Sequence, residues 1–202
     1  MVKRIQKVAV IGSGIMGGGI AALCAGAGIP AILLDIVPFD LKDDEKKNPA
    51  ARNRIVNAGK EGILKAKPAL LYDKDKAPGL IQVGNLEDDF GKLADCDWIV
   101  EVVVENLKIK QELFARIEKV AKKDAIISTN TSGLPLNKIA QGRSKAFKER
   151  FLGTLRPRNE KRKRKVCQAL CPSGSVMAFL CRRVEENPIQ MGTTPGTSPP
   201  VD

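Results

Sequence analysis

The chain contains no histidine among its 202 residues. That absence removes the side chain that most often serves as a general base near neutral pH. Long apolar runs are missing as well. The longest are strand-sized, too short for a membrane-spanning helix. Met1 to Lys7 leads directly into the first apolar run with no secretory leader pattern, so a cytoplasmic setting is expected. The cysteines (Cys24, Cys96, Cys167, Cys171 and Cys181) are odd in number, and Cys24 and Cys96 fall within apolar patterns. Reduced thiols are expected rather than a disulfide framework. No paired Cys-x-x-Cys spacing and no fourth ligand accompany the last three, so no metal site is expected.

What the chain does have is a formal charge of +11 and a run, Arg156 to Lys165, that is almost wholly basic. Such a run attracts polyanions in a salt-dependent way. It contains no aromatic residue for base stacking and belongs to no recognisable module, so specific nucleic-acid binding is not expected.

The most informative stretch is the first thirty-five residues. Val8-Ala9-Val10-Ile11 is apolar and rich in β-branched residues, and it runs into Gly12-Ser13-Gly14-Ile15-Met16-Gly17. An Ala-rich segment from Gly18 to Ala27 follows, then Ala31-Ile32-Leu33-Leu34, closed by Asp35. The pattern is strand, glycine turn, helix, strand and acid. Gly12 permits the tight turn, Gly14 lets backbone approach a pyrophosphate, and Gly17 allows close packing of helix on sheet. The helix N-terminus offers N–H groups and a positive dipole end to phosphates. Asp35 stands about 20 residues beyond the turn, where a carboxylate accepts hydrogen bonds from ribose hydroxyls. Ile36 and Val37 supply no arginine for a 2′-phosphate, so NAD is the expected cofactor rather than NADP.

Further along, a helical pattern spans about residues 50 to 67, Ile81 to Val83 reads as a strand, and Leu86 to Leu93 as a short helix. Trp98 to Val104 is a near-continuous apolar run, as buried parallel strands tend to be. Lys108 to Lys122 has helical spacing, Ala125 to Thr129 is the next strand, and Pro135 opens another short helix. The alternation predicts an α/β, Rossmann-type doubly wound parallel sheet with a helical excursion after its second strand. Regularity stops near Thr154. Residues 1–154 are expected to form one domain, and 155–202 an irregular, disordered basic and Pro/Thr-rich tail.

Asp97 to Lys110 and Ser128-Thr129-Asn130-Thr131-Ser132, together with Gly12 to Gly17, resemble the NAD-binding domain of the 3-hydroxyacyl-CoA dehydrogenases over about residues 5 to 154. The resemblance implies oxidation of (S)-3-hydroxyacyl-CoA to 3-oxoacyl-CoA with NAD, as in fatty-acid β-oxidation. It places Gly12, Ser13, Gly14, Ile15, Met16, Gly17 and Asp35 on the cofactor. It puts Glu105 and Lys110 beside the nicotinamide half, Ser132 against both nicotinamide and substrate oxygen, and Asn130 in the lining of the same pocket. It also implies an acyl-CoA partner; Lys60, Lys65 and Lys67 could pair with its phosphates, but a solvated helix face is the favoured reading for any one of them.

The chain then departs from the family. Members continue with a Gly-x-His-Phe-Phe-Asn-Pro segment, whose histidine is the general base, and with a helical domain. This chain reads Phe151-Leu152-Gly153-Thr154-Leu155-Arg156-Pro157-Arg158, with Leu155 at the histidine position and Arg158 at that of the asparagine. Leucine cannot accept a proton, so no catalytic residue is assigned and turnover by this chain is expected to be impaired. The suddenness of the change suggests that the family's sequence is replaced from about Leu155 by an out-of-frame or spliced-in tail. A Gly-Thr-His-Phe-Phe-Asn-Pro segment in another frame of the source DNA would support that hypothesis, and its absence from all frames would refute it. A packing face normally covered by the helical domain is expected to favour homo-oligomers or looser association. A 3-hydroxyacid or 6-phosphogluconate-type dehydrogenase shares the Gly-x-Gly-x-Met-Gly turn, but it lacks the Glu105…Lys110 and Asn130-Thr131-Ser132 patterns.

Overall fold

A computed structural model describes residues 4–71 and 75–154. Leu155, Arg158, the basic run and Cys167, Cys171 and Cys181 lie outside the described residues, as does the whole expected tail. The elements run β1 (Val8–Ile11), α1 (Ile15–Gly26), β2 (Ala31–Asp35), α2 (Pro49–Arg52), α3 (Arg54–Lys65), β3 (Ile81–Asn85), β4 (Trp98–Glu101), α4 (Leu107–Val120), β5 (Ile126–Thr129), α5 (Leu136–Ile139), α6 (Lys145–Glu149) and β6 (Phe151–Gly153). The six strands pair in the order β3-β2-β1-β4-β5-β6, every neighbouring pair parallel. That is the doubly wound order with two halves meeting between β1 and β4, where such sheets open a crevice at the carboxyl ends of their strands.

The central strands β1, β2 and β4 are buried on both faces, which is why they read as near-continuous apolar runs, whereas Gln82 of the edge strand β3 is exposed. Val8 and Val10 face a core shared with α1 and α3, through Ile20, Cys24, Val56 and Ile63. Ala9 and Ile11 face the other core, with Phe114 and Ile117 of α4 and Phe147 of α6. There Phe114 meets Phe151 edge to face, and Phe147 stacks on Phe151. Each such ring buried contributes roughly 1.5–3 kcal/mol. Cys24 and Cys96 are buried and unpaired. Burial pushes their thiols up to about 12 and about 11 respectively, which leaves them unreactive.

Four elements differ from the sequence pattern, two of them through a polar side chain that takes backbone N–H groups. The helix expected over 50 to 67 is two helices meeting at Asn53, whose Oδ1 accepts from Asn85 Nδ2 at 3.0 Å. Asn48 caps α2 by accepting from the Ala50 N–H, and Pro49 occupies the first turn, where its missing donor costs nothing. The helix expected at Leu86 to Leu93 is instead a turn followed by a 3-10 segment, Phe90–Asp95. Asn85 Oδ1 takes the N–H groups of Glu87 and Asp88 at 3.0 and 2.8 Å, which holds the chain in an Asx-type turn. The Trp98 to Val104 run stops being strand at Glu101, because the Glu101 carboxylate folds back to accept from the Val103 N–H at 2.7 Å. Finally, α1 begins inside the glycine turn, at Ile15 rather than Gly18.

The excursion between β2 and β3 is tied down at its base. Arg52 reaches Asp88 through Nε at 2.7 Å and a second nitrogen at 2.9 Å, and Glu87 at 2.7 Å. Planar guanidinium suits this forked geometry. Further out, α3 packs against α1, where Ile63 lies so near Gly18 that a Cβ there would sit 3.1 Å from Ile63 Cγ1.

Candidate functional site

Two loops form the floor of the crevice. The first leaves β1. Gly12 has φ +106°, and a Cβ on it would lie 2.5 Å from the Val102 carbonyl oxygen. Glycine is therefore required on two counts, conformation and the approach of the loop that follows β4. A Cβ on Gly17 would collide with the Gly12 carbonyl, so this position too tolerates only glycine. Gly14 behaves differently. Its φ of −64° suits any residue, and a Cβ there would meet no atom of the chain within 4 Å. The space before Gly14 is open, and Gly14 is also the N-cap of α1, with no side-chain cap and no acidic residue in the first turn. An uncapped helix start beside open space is a ready-made site for an anion. Ile15 and Met16 of the same turn point outward, Ile15 at 93% exposure.

Asp35 closes β2 beside this turn. Its Oδ2 accepts from the Ser13 N–H and the Ser13 hydroxyl, both at 2.6 Å, and its Oδ1 accepts from the Ile36 N–H at 2.7 Å. The glycine turn and the acid, twenty-two positions apart, are thus one hydrogen-bonded unit.

The second loop leaves β4. At its base Glu101 is fully buried, and Lys110 of α4 is 1% exposed. Lys110 Nζ lies 2.6 Å from Glu101 Oε1 and also donates to the Val103 carbonyl at 3.1 Å. Thr129 donates its hydroxyl to Glu101 Oε2 at 2.5 Å. The buried carboxylate and ammonium therefore each have further partners, as burial of charge demands. The resemblance puts Lys110 beside the nicotinamide; the structure directs its ammonium inward, onto Glu101 and the loop backbone.

Glu105, at the exposed end of that loop, bridges to the loop after β5. It accepts from the Thr131 hydroxyl and from the Ser132 N–H, the latter at 3.0 Å. Partial burial raises the Glu105 carboxyl. The Thr131 hydroxyl, the Ser132 amide, the Lys110 charge and the Gly133 amide lower it by more, so it titrates below the usual carboxylate value. Asn130 is anchored from both sides: its N–H donates to the Glu101 carbonyl at 2.8 Å, and its Oδ1 accepts from the Thr154 hydroxyl at 2.7 Å. Glu105, Asn130 and Ser132 are therefore brought together, while Asp35 and the glycine turn form a separate group on the other side of the crevice.

Glu101 and Thr131 organise the second loop, and the sequence reading passed over both. Glu101 did leave a signal: a charged residue inside an apolar strand run needs a buried partner, and Lys110 lies nine positions on.

A βαβ unit with this glycine turn, an acid on β2 and an open crevice at the β1–β4 switch point defines a dinucleotide-binding domain. A profile described as "3-hydroxyacyl-CoA dehydrogenase, NAD binding domain" matches residues 7–155. The chain belongs to the 3-hydroxyacyl-CoA dehydrogenase family, and the matched part is its NAD-binding domain. A probable 3-hydroxyacyl-CoA dehydrogenase of Deinococcus radiodurans is 51% identical over 150 residues, covering 74% of this chain and 41% of that protein. A namesake in Bacillus subtilis is 49% identical over 160 residues, covering 76% of this chain and 20% of its own length. Among solved structures, 3-hydroxybutyryl-CoA dehydrogenase from Escherichia coli superposes with a TM-score of 0.59 at 26% identity, over 75% of this chain and 29% of that one. FadB2 of Mycobacterium tuberculosis does so with a TM-score of 0.55 at 30% identity, over 75% of this chain and 49% of its own. The chain thus spans about two fifths and one fifth of the lengths of those two curated relatives.

Proposed function

We propose that this chain binds NAD(H) as the dinucleotide half of an enzyme that oxidises (S)-3-hydroxyacyl-CoA, and that alone it holds cofactor with little or no turnover. The observation that carries the reading is the open space before Gly14, at an uncapped helix start, with Asp35 locked to the adjoining Ser13. In this reading the 12–17 turn holds the pyrophosphate through backbone N–H groups, and Asp35 holds the adenosine ribose. Bound NAD supplies the hydride acceptor. Glu105 and Ser132 border the nicotinamide half, Asn130 and Ser132 face the oxygen of the substrate, and Lys110 serves the site by holding the 102–105 loop. The domain comprises residues 1–154.

Leu155 takes the sequence position of the family's proton acceptor, and loss of a positioned general base costs about 10²–10⁴-fold. Titrating the purified 202-residue chain with NADH by fluorescence, then adding acetoacetyl-CoA, tests both halves of the reading. The expected result is saturable binding with no NADH consumption. Consumption above an enzyme-free blank would refute the impaired site, and absence of binding would refute the cofactor site.

A cytoplasmic setting is consistent with the buried, unpaired Cys24 and Cys96, and with the absence, among the described residues, of any helix long and apolar enough to cross a membrane. Fractionation of the source cells tests it. Association between copies is supported by the exposed Ile15, Phe39 and Val104. Sedimentation of the purified chain as a strict monomer would overturn that part.

A further inference from the structure

Ser13 occupies the variable position of the Gly12-Ser13-Gly14 turn, yet it is nearly buried and surrounded by close contacts. Its hydroxyl lies 2.6 Å from Asp35 Oδ2 and 3.5 Å from the Ile55 carbonyl of α3. One hydroxyl carries one proton, and the short contact to a carboxylate is the one that takes it. An ionised carboxylate has about four acceptor positions. Ser13 N–H, Ser13 Oγ and Ile36 N–H fill three of those on Asp35, so the chain itself dictates which lone pair faces outward.

The opposite side of Ser13 is closed by α3. A Cβ added to Gly59 would lie 2.5 Å from the Ser13 carbonyl oxygen, 2.6 Å from its Cβ and 2.7 Å from its Oγ. These are contacts that real Cβ atoms do not make, so α3 rests on Ser13 only because residue 59 is glycine. Gly62, one turn further along the same helix, has open space where its Cβ would be. The close approach at residue 59 is therefore local and not a property of the whole helix.

We propose that Ser13 is a positioning residue for the Asp35 carboxylate, and that Gly59 of α3 holds Ser13 in place, so that the segment inserted after β2 sets affinity and cofactor preference at the ribose subsite. The inference rests on the NAD-binding reading above. Without the Ser13 hydroxyl, Asp35 keeps its charge but loses one of its three anchors. It can then rotate away from a ribose 2′-hydroxyl, and equally from a 2′-phosphate. Binding of NADH falls while repulsion of NADPH relaxes.

The test is fluorescence titration of the full chain and its variants with NADH and with NADPH, with the melting temperature of each variant recorded alongside. Ser13→Ala is expected to weaken NADH about tenfold, the loss typical of a hydrogen bond to a charged group, with NADPH affinity unchanged or improved. Gly59→Ala is expected to shift the ratio of the two cofactors in the same direction, and Gly62→Ala to leave it unchanged. An equal loss of both cofactors in Ser13→Ala, or no loss of either, would overturn the proposal. So would a Gly59→Ala chain that folds and binds like Gly62→Ala. If Gly59→Ala does not fold, the Ser13→Ala ratio alone decides. Failure of the unaltered chain to bind NADH is a separate outcome that overturns the underlying reading and the proposal with it.

Discussion

The two sides of the crevice are built on different physical principles. On the β1–β2 side, shape does the work: Gly12 and Gly17 are forced by close backbone approach, Gly14 leaves space open, and Asp35 is the one ionised side chain in the hydrogen-bonded unit with Ser13. On the β4–β5 side, buried charge does it. Glu101, Lys110 and Thr129 form a closed polar network beneath the 102–105 loop, and Glu105 then ties that loop to residues 131 and 132. A shape-built site fails by added atoms; a charge-built one fails by removed partners. On the first side the backbone at Gly12 and Gly17 has no room for an added atom, and on the second neither Glu101 nor Lys110 can lose its buried partner without cost.

The largest expected effect that sharpens this contrast is Lys110→Met. It strands the Glu101 carboxylate in the interior, and breaking a buried pair from one side costs about 3–5 kcal/mol. Urea denaturation should show this loss, and the double variant Glu101→Leu with Lys110→Met should recover most of it. A Lys110→Met chain as stable as the original would show that the pair is not what holds the loop, and the contrast would collapse. A smaller effect concerns pH. The Glu105 carboxyl is depressed below its ordinary value of 4.5 in the folded chain. A depressed folded value means that its stabilising contribution is fully present above the unfolded value and disappears as pH falls through the folded one. The loop contacts of Glu105 should thus weaken only on the acid side of that value. Glu105→Gln should lower the melting temperature at neutral pH, where that contribution is fully present, and the gap between the two chains should close as pH falls below 4.5, which flattens the acid limb of the variant's profile. An unchanged acid limb would show that the Thr131 and Ser132 contacts do not survive in solution.

The same contrast explains what was legible in the sequence. Shape-built features are local and positional, so β1, the glycine turn, β2 and Asp35 could be read from spacing alone, and β4, α4 and β5 from apolar periodicity. What escaped depends on side chains reaching across sequence. Val102, Val103 and Val104 extend an apolar run, yet Glu101 curls back to Val103 N–H and ends the strand, leaving Val104 66% exposed. The break at Asn53 and the turn at Asn85 arise from amide side chains bonding to one another and to backbone, which periodicity does not register. The inward course of Lys110 follows from the burial of Glu101; a resemblance carries residue identities but not side-chain directions. Gly59 was unreadable for another reason: a glycine in a polar helix looks like a weak helix former until the neighbour it accommodates is known. The helix α6, capped by Ser144 accepting from the Phe147 N–H, went unremarked because it is only five residues long.

The central claim, that this chain carries a working dinucleotide site, is tested most directly by calorimetric titration of Gly14→Ala with NADH beside the unaltered chain. A Cβ at residue 14 touches no atom of the protein, and its φ of −64° is open to alanine, so the fold should not register the change. The account predicts one NADH bound per unaltered chain, at least tenfold weaker binding by Gly14→Ala, and equal melting temperatures without cofactor. Equal NADH binding by the two chains would contradict it, because the space before Gly14 would then not be where the pyrophosphate lies.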